Sequence, residues 1–213
     1  MRLLHTGVTL ACVLALGVAP RAHAAGAWQA YEAGNYPRAA ELYRLEAVNG
    51  DRLAAFNYAM MLRHGQGITA NPGEARRWLA LAATAGLAQA QYAMGLLFEN
   101  GDGVARSQPT ATWWFQHAAR QGHRDAQVSL ATQYFLGRGA PHDLLLAARW
   151  YREAAQNGDV GAQYIIATLY EQGQGAPRNL ALARYWYAAA ALQGDPAAKI
   201  RGQALGKQLD QPQ

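Results

Sequence analysis

The chain has 213 residues, 51% hydrophobic and only 15% charged, with 19 Lys and Arg against 14 Asp and Glu for a formal net charge of +5. Past the N-terminus its arginines are scattered from Arg38 to Arg201 without a basic run, which argues against a nucleic-acid partner. A lone cysteine, Cys12, excludes a disulfide framework, and no later stretch reaches the roughly 18 apolar residues of a membrane span.

Residues 1–24 read as a secretory signal. Arg2 supplies the positive start, Val8 to Ala19 are almost uninterruptedly apolar, Pro20 breaks the run, and Ala22-His23-Ala24 has the small-x-small form of a cleavage site. Cys12 lies early in the apolar run, behind Thr9-Leu10-Ala11, where a lipoprotein signal wants an aliphatic residue in place of the threonine. It is therefore an ordinary residue of the signal. Cleavage after Ala24 leaves 189 residues (213 − 24) with 17 basic side chains (19 less Arg2 and Arg21), 14 acidic ones and no thiol. Export predicts a soluble protein, and a periplasmic one if the cell is Gram-negative.

Residues 25–51 form a shorter opening hairpin. Its first helix covers Ala27 to Ala33, Gly34-Asn35-Tyr36 turn the chain, and the second helix runs from Arg38 to Val48 with Pro37 in its first turn. From Arg52 a strict period takes over: 52–87, 88–123, 124–159 and 160–195 are four units of 36 residues. A fixed period of this size marks a stacked-repeat solenoid.

Each unit reads the same way. Its first helix carries small residues at Ala54, Ala90, Ala126 and Ala162, and again at Ala59, Gly95, Ala131 and Ala167, so that helix backbones can approach. Large residues follow at Leu62, Phe98, Tyr134 and Tyr170. A Gly-x-Gly turn recurs from Gly65, Gly101, Gly137 and Gly173, without the further residues of a phosphate-binding loop. Asn71, Ser107, Asp143 and Asn179 share one property, that of a preferred N-cap, and open the second helix. That helix shows Ala75, Trp78, Leu79 and Ala82 and their equivalents at offsets 0, 3, 4 and 7, one helical face, with Trp78, Trp114, Trp150 and Trp186 expected at the heart of each hairpin. Residues 196–213 form a capping helix and tail, where Lys199, Arg201 and Lys207 stand at the end of the stack. No alternating strand pattern occurs, so the chain is all-α.

The run Gly161-Ala162-Gln163-Tyr164 through Gly194, repeated in register four times, resembles the Sel1-like repeat, a relative of the tetratricopeptide repeat. The resemblance covers residues 52–195, while 25–51 look more like a tetratricopeptide hairpin. It implies a right-handed α–α superhelix with first helices on the concave side, serving as a platform for protein–protein contacts, often in bacterial envelopes. Some cysteine-rich members are associated with penicillin binding or β-lactam hydrolysis. The mature chain has no cysteine and departs from that group.

Chemistry has few candidates. His64, His117, His123 and His142 fall at different repeat positions without metal-ligand spacing, and Ser107 and Ser129 have no base beside them. Glu99 with Asp102, or Glu171 with Asp195, are the only carboxylate pairs to consider, and solvated helix ends explain them better. No catalytic residue, metal or cofactor is expected, and the chain reads as a non-enzyme. On the geometry the resemblance implies, Phe56, Arg63, Tyr92, Glu99, Thr132, Phe135, Tyr164, Thr168 and Glu171 face the concave side, a mixture of rings and charges suited to a peptide or partner helix. The same aromatics would equally serve to seal neighbouring repeats. Trp113 and Tyr185 occupy a position held elsewhere by Arg77 and Arg149, which makes them exposed, convex-side contact candidates. The expectation is a monomeric, protein-binding scaffold of the cell envelope. Two alternatives stand beside it: a cell-wall-directed or β-lactam-directed hydrolase, and a structural part of an envelope machine such as a flagellar motor ring.

Overall fold

The computed structural model describes residues 24–209, so the signal reading, apart from Ala24, and the tail from Asp210 lie outside the described residues. Within them stand eleven helices and no strand: α1 (Ala24–Glu32), α2 (Tyr36–Val48), α3 (Arg52–His64), α4 (Pro72–Thr84), α5 (Ala88–Asn100), α6 (Gln108–Arg120), α7 (Arg124–Leu136), α8 (Leu144–Gln156), α9 (Val160–Gln172), α10 (Leu180–Leu192) and α11 (Pro196–Leu209). Each helix packs on the one before and the one after, and within the four repeats the hairpin contact is more extensive than the contact to the next hairpin.

The cap column does what its residue types require. Side-chain oxygens of Asn71, Ser107, Asp143 and Asn179 accept the amide protons of Glu74, Thr110, Leu146 and Leu182 at 3.1, 3.3, 2.9 and 3.0 Å. The column also reaches one unit further back. Asn35 is not a turn residue: it caps α2, accepting from the Arg38 amide at 3.3 Å, and the helix starts at Tyr36 with Pro37 inside its first turn. Asn35 stands 36 residues before Asn71, as Ala39 does before Ala75 and Gly50 before Gly86. The opening hairpin thus ends in a second helix that is in full register with the four repeats. Its turn is shortened: two residues separate Glu32 from the cap Asn35, where six separate His64 from Asn71.

The Gly-x-Gly turn joins hairpins as well as helices. Gly137 ends α7 in the left-handed conformation (φ +65°), and the loop is closed where the Asp143 amide donates to the Tyr134 carbonyl at 3.0 Å. The second glycine, Gly139 (φ +68°), lies against the start of α6 in the preceding repeat, where a Cβ would overlap the Gln108 carbonyl. Gly175 meets the Leu144 carbonyl at the start of α8 in the same way.

The core runs along the stack as three consecutive clusters, one spanning α1 to α5 with Trp114, one around Phe115 and Leu130, and one from Ala131 onward. Its deepest layer is not the tryptophan column. Leu79, Phe115, Tyr151 and Tyr187, each one residue later, are 3%, 0%, 3% and 0% exposed, whereas Trp114 and Trp186 sit at 9% and 8% and Trp78 and Trp150 are only partly buried. The cause is helical geometry: successive residues point about 100° apart, and the later position is the one aimed at the small residues of the first helix. At Gly95 even a methyl group would run into the Phe115 ring. The tryptophans are turned toward the rim of the hairpin.

Phe115→Ala is expected to cost about 3–5 kcal/mol, and Trp150→Ala less, as read from urea midpoints at unchanged m. Gly139→Ala should destabilise well beyond Gly158→Ala. Gly158 has φ +85° and open space around it, so its substitution carries backbone strain alone, about 1–3 kcal/mol. Thermal melting of the two variants side by side checks this.

Candidate interaction surfaces

The first-helix residues put forward by the sequence fall into three columns. Phe56, Tyr92 and Tyr164 share one, with Val128 between them; Arg63, Glu99, Phe135 and Glu171 form the second; Thr132 and Thr168 continue Met60 and Leu96 in the third. The structure brings them into line and engages nearly every one with a neighbour. Arg63 pairs with Asp102 of the following turn at 2.9 Å, Glu99 accepts from Gln133 Nε2 of the next first helix at 2.8 Å, and Glu171 accepts from Tyr187 at 2.8 Å with Arg201 at 3.4 Å. Thr132 and Thr168 lie 2.9 and 3.0 Å from the hydroxyls of Tyr151 and Tyr187. Tyr92 stacks on His123 at 4.7 Å, Phe135 meets Tyr151 edge-on and Tyr164 meets Tyr187 likewise. Phe56 packs on the first core cluster. Arg63 is the most solvent-accessible member of this row.

The second helices present a different row. Arg77, Trp113, Arg149 and Tyr185 are 36 apart and all exposed, with Trp113 at 51% and Tyr185 at 61%. Three of the four are braced by the tryptophan that follows. Trp113 stands edge-on to Trp114 at 4.6 Å, Tyr185 to Trp186 at 5.0 Å, and the Arg149 guanidinium lies 5.9 Å over Trp150. Arg77 and Trp78 together line an open groove of about 490 Å³ with Asn71, Gly73, Glu74 and Leu81.

The repeating columns behind both rows are those of a known unit: the sequence pattern described as Sel1 repeat matches residues 52–87, 88–123, 124–159 and 160–195. The chain belongs to the Sel1 repeat family. Among solved structures it is similar to a protective antigen of uropathogenic Escherichia coli displaying an SLR fold, with 29% identity and a TM-score of 0.80 over 87% of this chain and 40% of that one. It is also similar to a Sel1 repeat protein from Oxalobacter formigenes, with 29% identity and a TM-score of 0.76 over 81% of this chain and 71% of that one. An immunity protein of Pseudomonas aeruginosa shares the fold at 21% identity and a TM-score of 0.51, over 86% of this chain and 70% of that one. The chain therefore spans less than half the length of its Escherichia coli relative. No curated protein sequence matches it.

Within these Sel1 repeats the polar groups are spent on the stack. Glu99 and Asp102 turn to separate partners, Gln133 and Arg63; Asp195 caps α11 by accepting from the Ala198 amide at 2.8 Å, and Ser107 is a cap. Among the described residues no group of three His, Cys, Asp or Glu could hold a metal ion, and no helix is long and apolar enough to cross a membrane.

One column has a role that residue type alone does not reveal. Gln91, Gln127 and Gln163 are almost fully buried, and each Nε2 donates to a carbonyl of the preceding second helix (Ala83, Ala119, Ala155) at 3.1–3.3 Å. Each Oε1 accepts from the residue that ends the next second helix, namely Gln121, Asn157 and Gln193, at 2.7–2.8 Å. One amide so staples two consecutive hairpins. The signal was the strict spacing of glutamine directly after a core alanine, Ala90, Ala126 or Ala162.

His123 occupies the cap position that Asp51, Asp159 and Asp195 hold elsewhere; its Nδ1 accepts from the Ala126 amide at 3.3 Å. Burial pushes the imidazole below its usual range, only partly opposed by Asp125. The folded-state value therefore lies below the unfolded one of about 6.5, and the unfolded chain takes up a proton first as the pH falls. Stability from this site is complete above about pH 6.5 and declines as the pH drops toward the folded value. His123→Asn, which caps without titrating, should narrow the difference between urea midpoints measured at pH 8 and pH 5.

Proposed function

We propose that this Sel1 repeat protein is a non-catalytic, monomeric interaction module of the bacterial cell envelope, exported by its N-terminal signal and binding a peptide or partner helix along the first-helix row. The observation that carries the reading is the fate of the reactive side chains. Every carboxylate considered for acid–base work is tied to a separate neighbour, and Ser107 and His123 act as helix caps. Protein interaction is also what the family generally does. A relative described as a protective antigen is in keeping with a chain displayed outside the cytoplasm.

Reversing Glu99 or Glu171 would break contacts inside the stack and confuse binding with folding. Arg63 is the cleaner probe, because its pair with Asp102 is exposed on both sides and such pairs contribute only about 0–1 kcal/mol. The mature protein is expected in the periplasmic fraction with an N-terminus at Ala25. A partner captured there and repurified should rebind wild type, and bind Arg63→Glu at least about tenfold more weakly, at equal melting temperature. Recovery of the full-length chain in the cytoplasm, or nitrocefin turnover by the purified protein, would overturn the proposal.

A further inference from the structure

The charges of this protein are segregated by helix type. The second helices α4, α6, α8 and α10 carry six arginines (76, 77, 120, 149, 152 and 184) against two glutamates (74 and 153). The first helices α3, α5, α7 and α9 are balanced, Arg52, Arg63 and Arg124 against Glu99, Asp125 and Glu171. Four of these arginines stand on the side of the Arg77–Arg149 row and outnumber the two glutamates there, Glu74 three residues before Arg77 and Glu153 four after Arg149. Residues three, four and seven apart share a helical face, so Arg152 lies beside Arg149, Arg120 beside Trp113, and Leu81 beside Arg77. Arg77, Arg120, Arg149 and Arg152 are all exposed, and none forms an ion pair among the described residues. Large apolar groups are exposed on the same face, Leu81 at 56% and Leu192, seven residues after Tyr185, at 89%.

From this we infer that the exposed face of the second helices, built on the Arg77–Trp113–Arg149–Tyr185 ladder, docks an extended acidic polypeptide segment bearing aromatic or aliphatic side chains. A chain crossing the four helices meets a cation, a ring, a cation and a ring in turn. Acidic side chains match the unpaired arginines. Arg149 lies over Trp150, which holds its planar fork in place while the outward N–H groups stay available for bidentate capture of a carboxylate. The rings and the groove beside Trp78 and Leu81 take the apolar side chains of the segment. Trp, Tyr and Arg are also the residue types that dominate binding energy at protein interfaces. A nucleic acid would satisfy the arginines and leave Leu81 and Leu192 without a match. This surface is separate from the first-helix row, so the two readings stand or fall independently.

The probe is a fluorescein-labelled random copolymer of glutamate and tyrosine, titrated by anisotropy beside polyglutamate of equal length, a twenty-nucleotide oligothymidylate and phosphatidylglycerol vesicles. The copolymer should bind more tightly than the other three. The double variants Arg77→Glu/Arg149→Glu and Trp113→Ser/Tyr185→Ser should each weaken it at least about tenfold at unchanged melting temperature, while Arg63→Glu binds as wild type. All four substituted ladder residues are exposed, and Trp113→Phe should restore binding to the ring-deleted ladder in proportion to the ring it returns. Copolymer bound no better than polyglutamate, or equally by the ladder variants, overturns the inference. Tighter binding of the oligothymidylate or of the vesicles, lost in the same variants, overturns it in favour of a nucleic acid or a membrane surface.

Discussion

The contact on which the stack depends is the one that the second glycine of a Gly-x-Gly turn makes with the first turn of the second helix before it. Gly67, Gly139 and Gly175 make it, while Gly103 meets the Arg76 guanidinium instead. At Gly139 and Gly175 the approach is to backbone carbonyls, those of Gln108 and Leu144, and nothing larger than hydrogen fits. Backbone against backbone leaves no slack, so the step from one hairpin to the next is fixed at that point. The glutamine staples fix it again at the opposite end of the hairpins, where Gln91, Gln127 and Gln163 each bridge two consecutive second helices. With both ends held, side chains that recur at 36-residue intervals must stand in line. The turn from Gly65 to Gly67 closes on Tyr36 and Pro37 of α2 in the same manner, which is how a shortened opening hairpin docks without disturbing the register.

At one point inside this stack two polar groups change together. At the meeting of the third first-helix column with the deepest layer, the first two repeats pair Met60 with Leu79 and Leu96 with Phe115, all apolar. The last two pair Thr132 with Tyr151 and Thr168 with Tyr187, hydroxyl to hydroxyl. Either combination leaves no buried group wanting, whereas a mixed pair would strand one, at about 1–3 kcal/mol. In the last repeat the network extends through Glu171 to Arg201 of α11, so the capping helix is tied to the stack by charge as well as by the apolar contacts of Ala198 and Leu205.

Much of this was legible from residue types and spacing. Three residue types over the four cap positions, Asn, Ser and Asp, could share only one purpose, and paired glycines could end a helix and turn the chain. Depth within the core was less legible. Periodicity assigns a face, and Trp78 and Leu79 both belong to the inward face; which of them goes deeper depends on where the partner helix lies, and that is set by Ala59 and Gly95 on another element. The register of α2 was hidden for a related reason: the shortened turn before Asn35 breaks the Gly-x-Gly landmark, although the cap and alanine spacings persist. For the first-helix row, composition suggests a binding surface, but the partners that engage Arg63, Glu99 and Glu171 lie 16 to 39 residues away in the sequence. A one-dimensional reading cannot see such pairs.

The tryptophan column ends with two duties. One side of each indole closes its hairpin, and in three repeats the other side braces the residue of the exposed ladder that precedes it. A ring or guanidinium held against a rigid indole has already lost most of its rotational freedom, so ordering it on binding costs little, where a free side chain costs about 0.5–1.5 kcal/mol. Repetition multiplies that saving, since the tryptophan recurs in every repeat and the braced residue can be exchanged between arginine and aromatic without touching the core. Such an arrangement separates what must stay constant for folding from what can vary for recognition. The period makes the indole invariant, and its neighbour on the exposed side is where this chain differs from one repeat to the next.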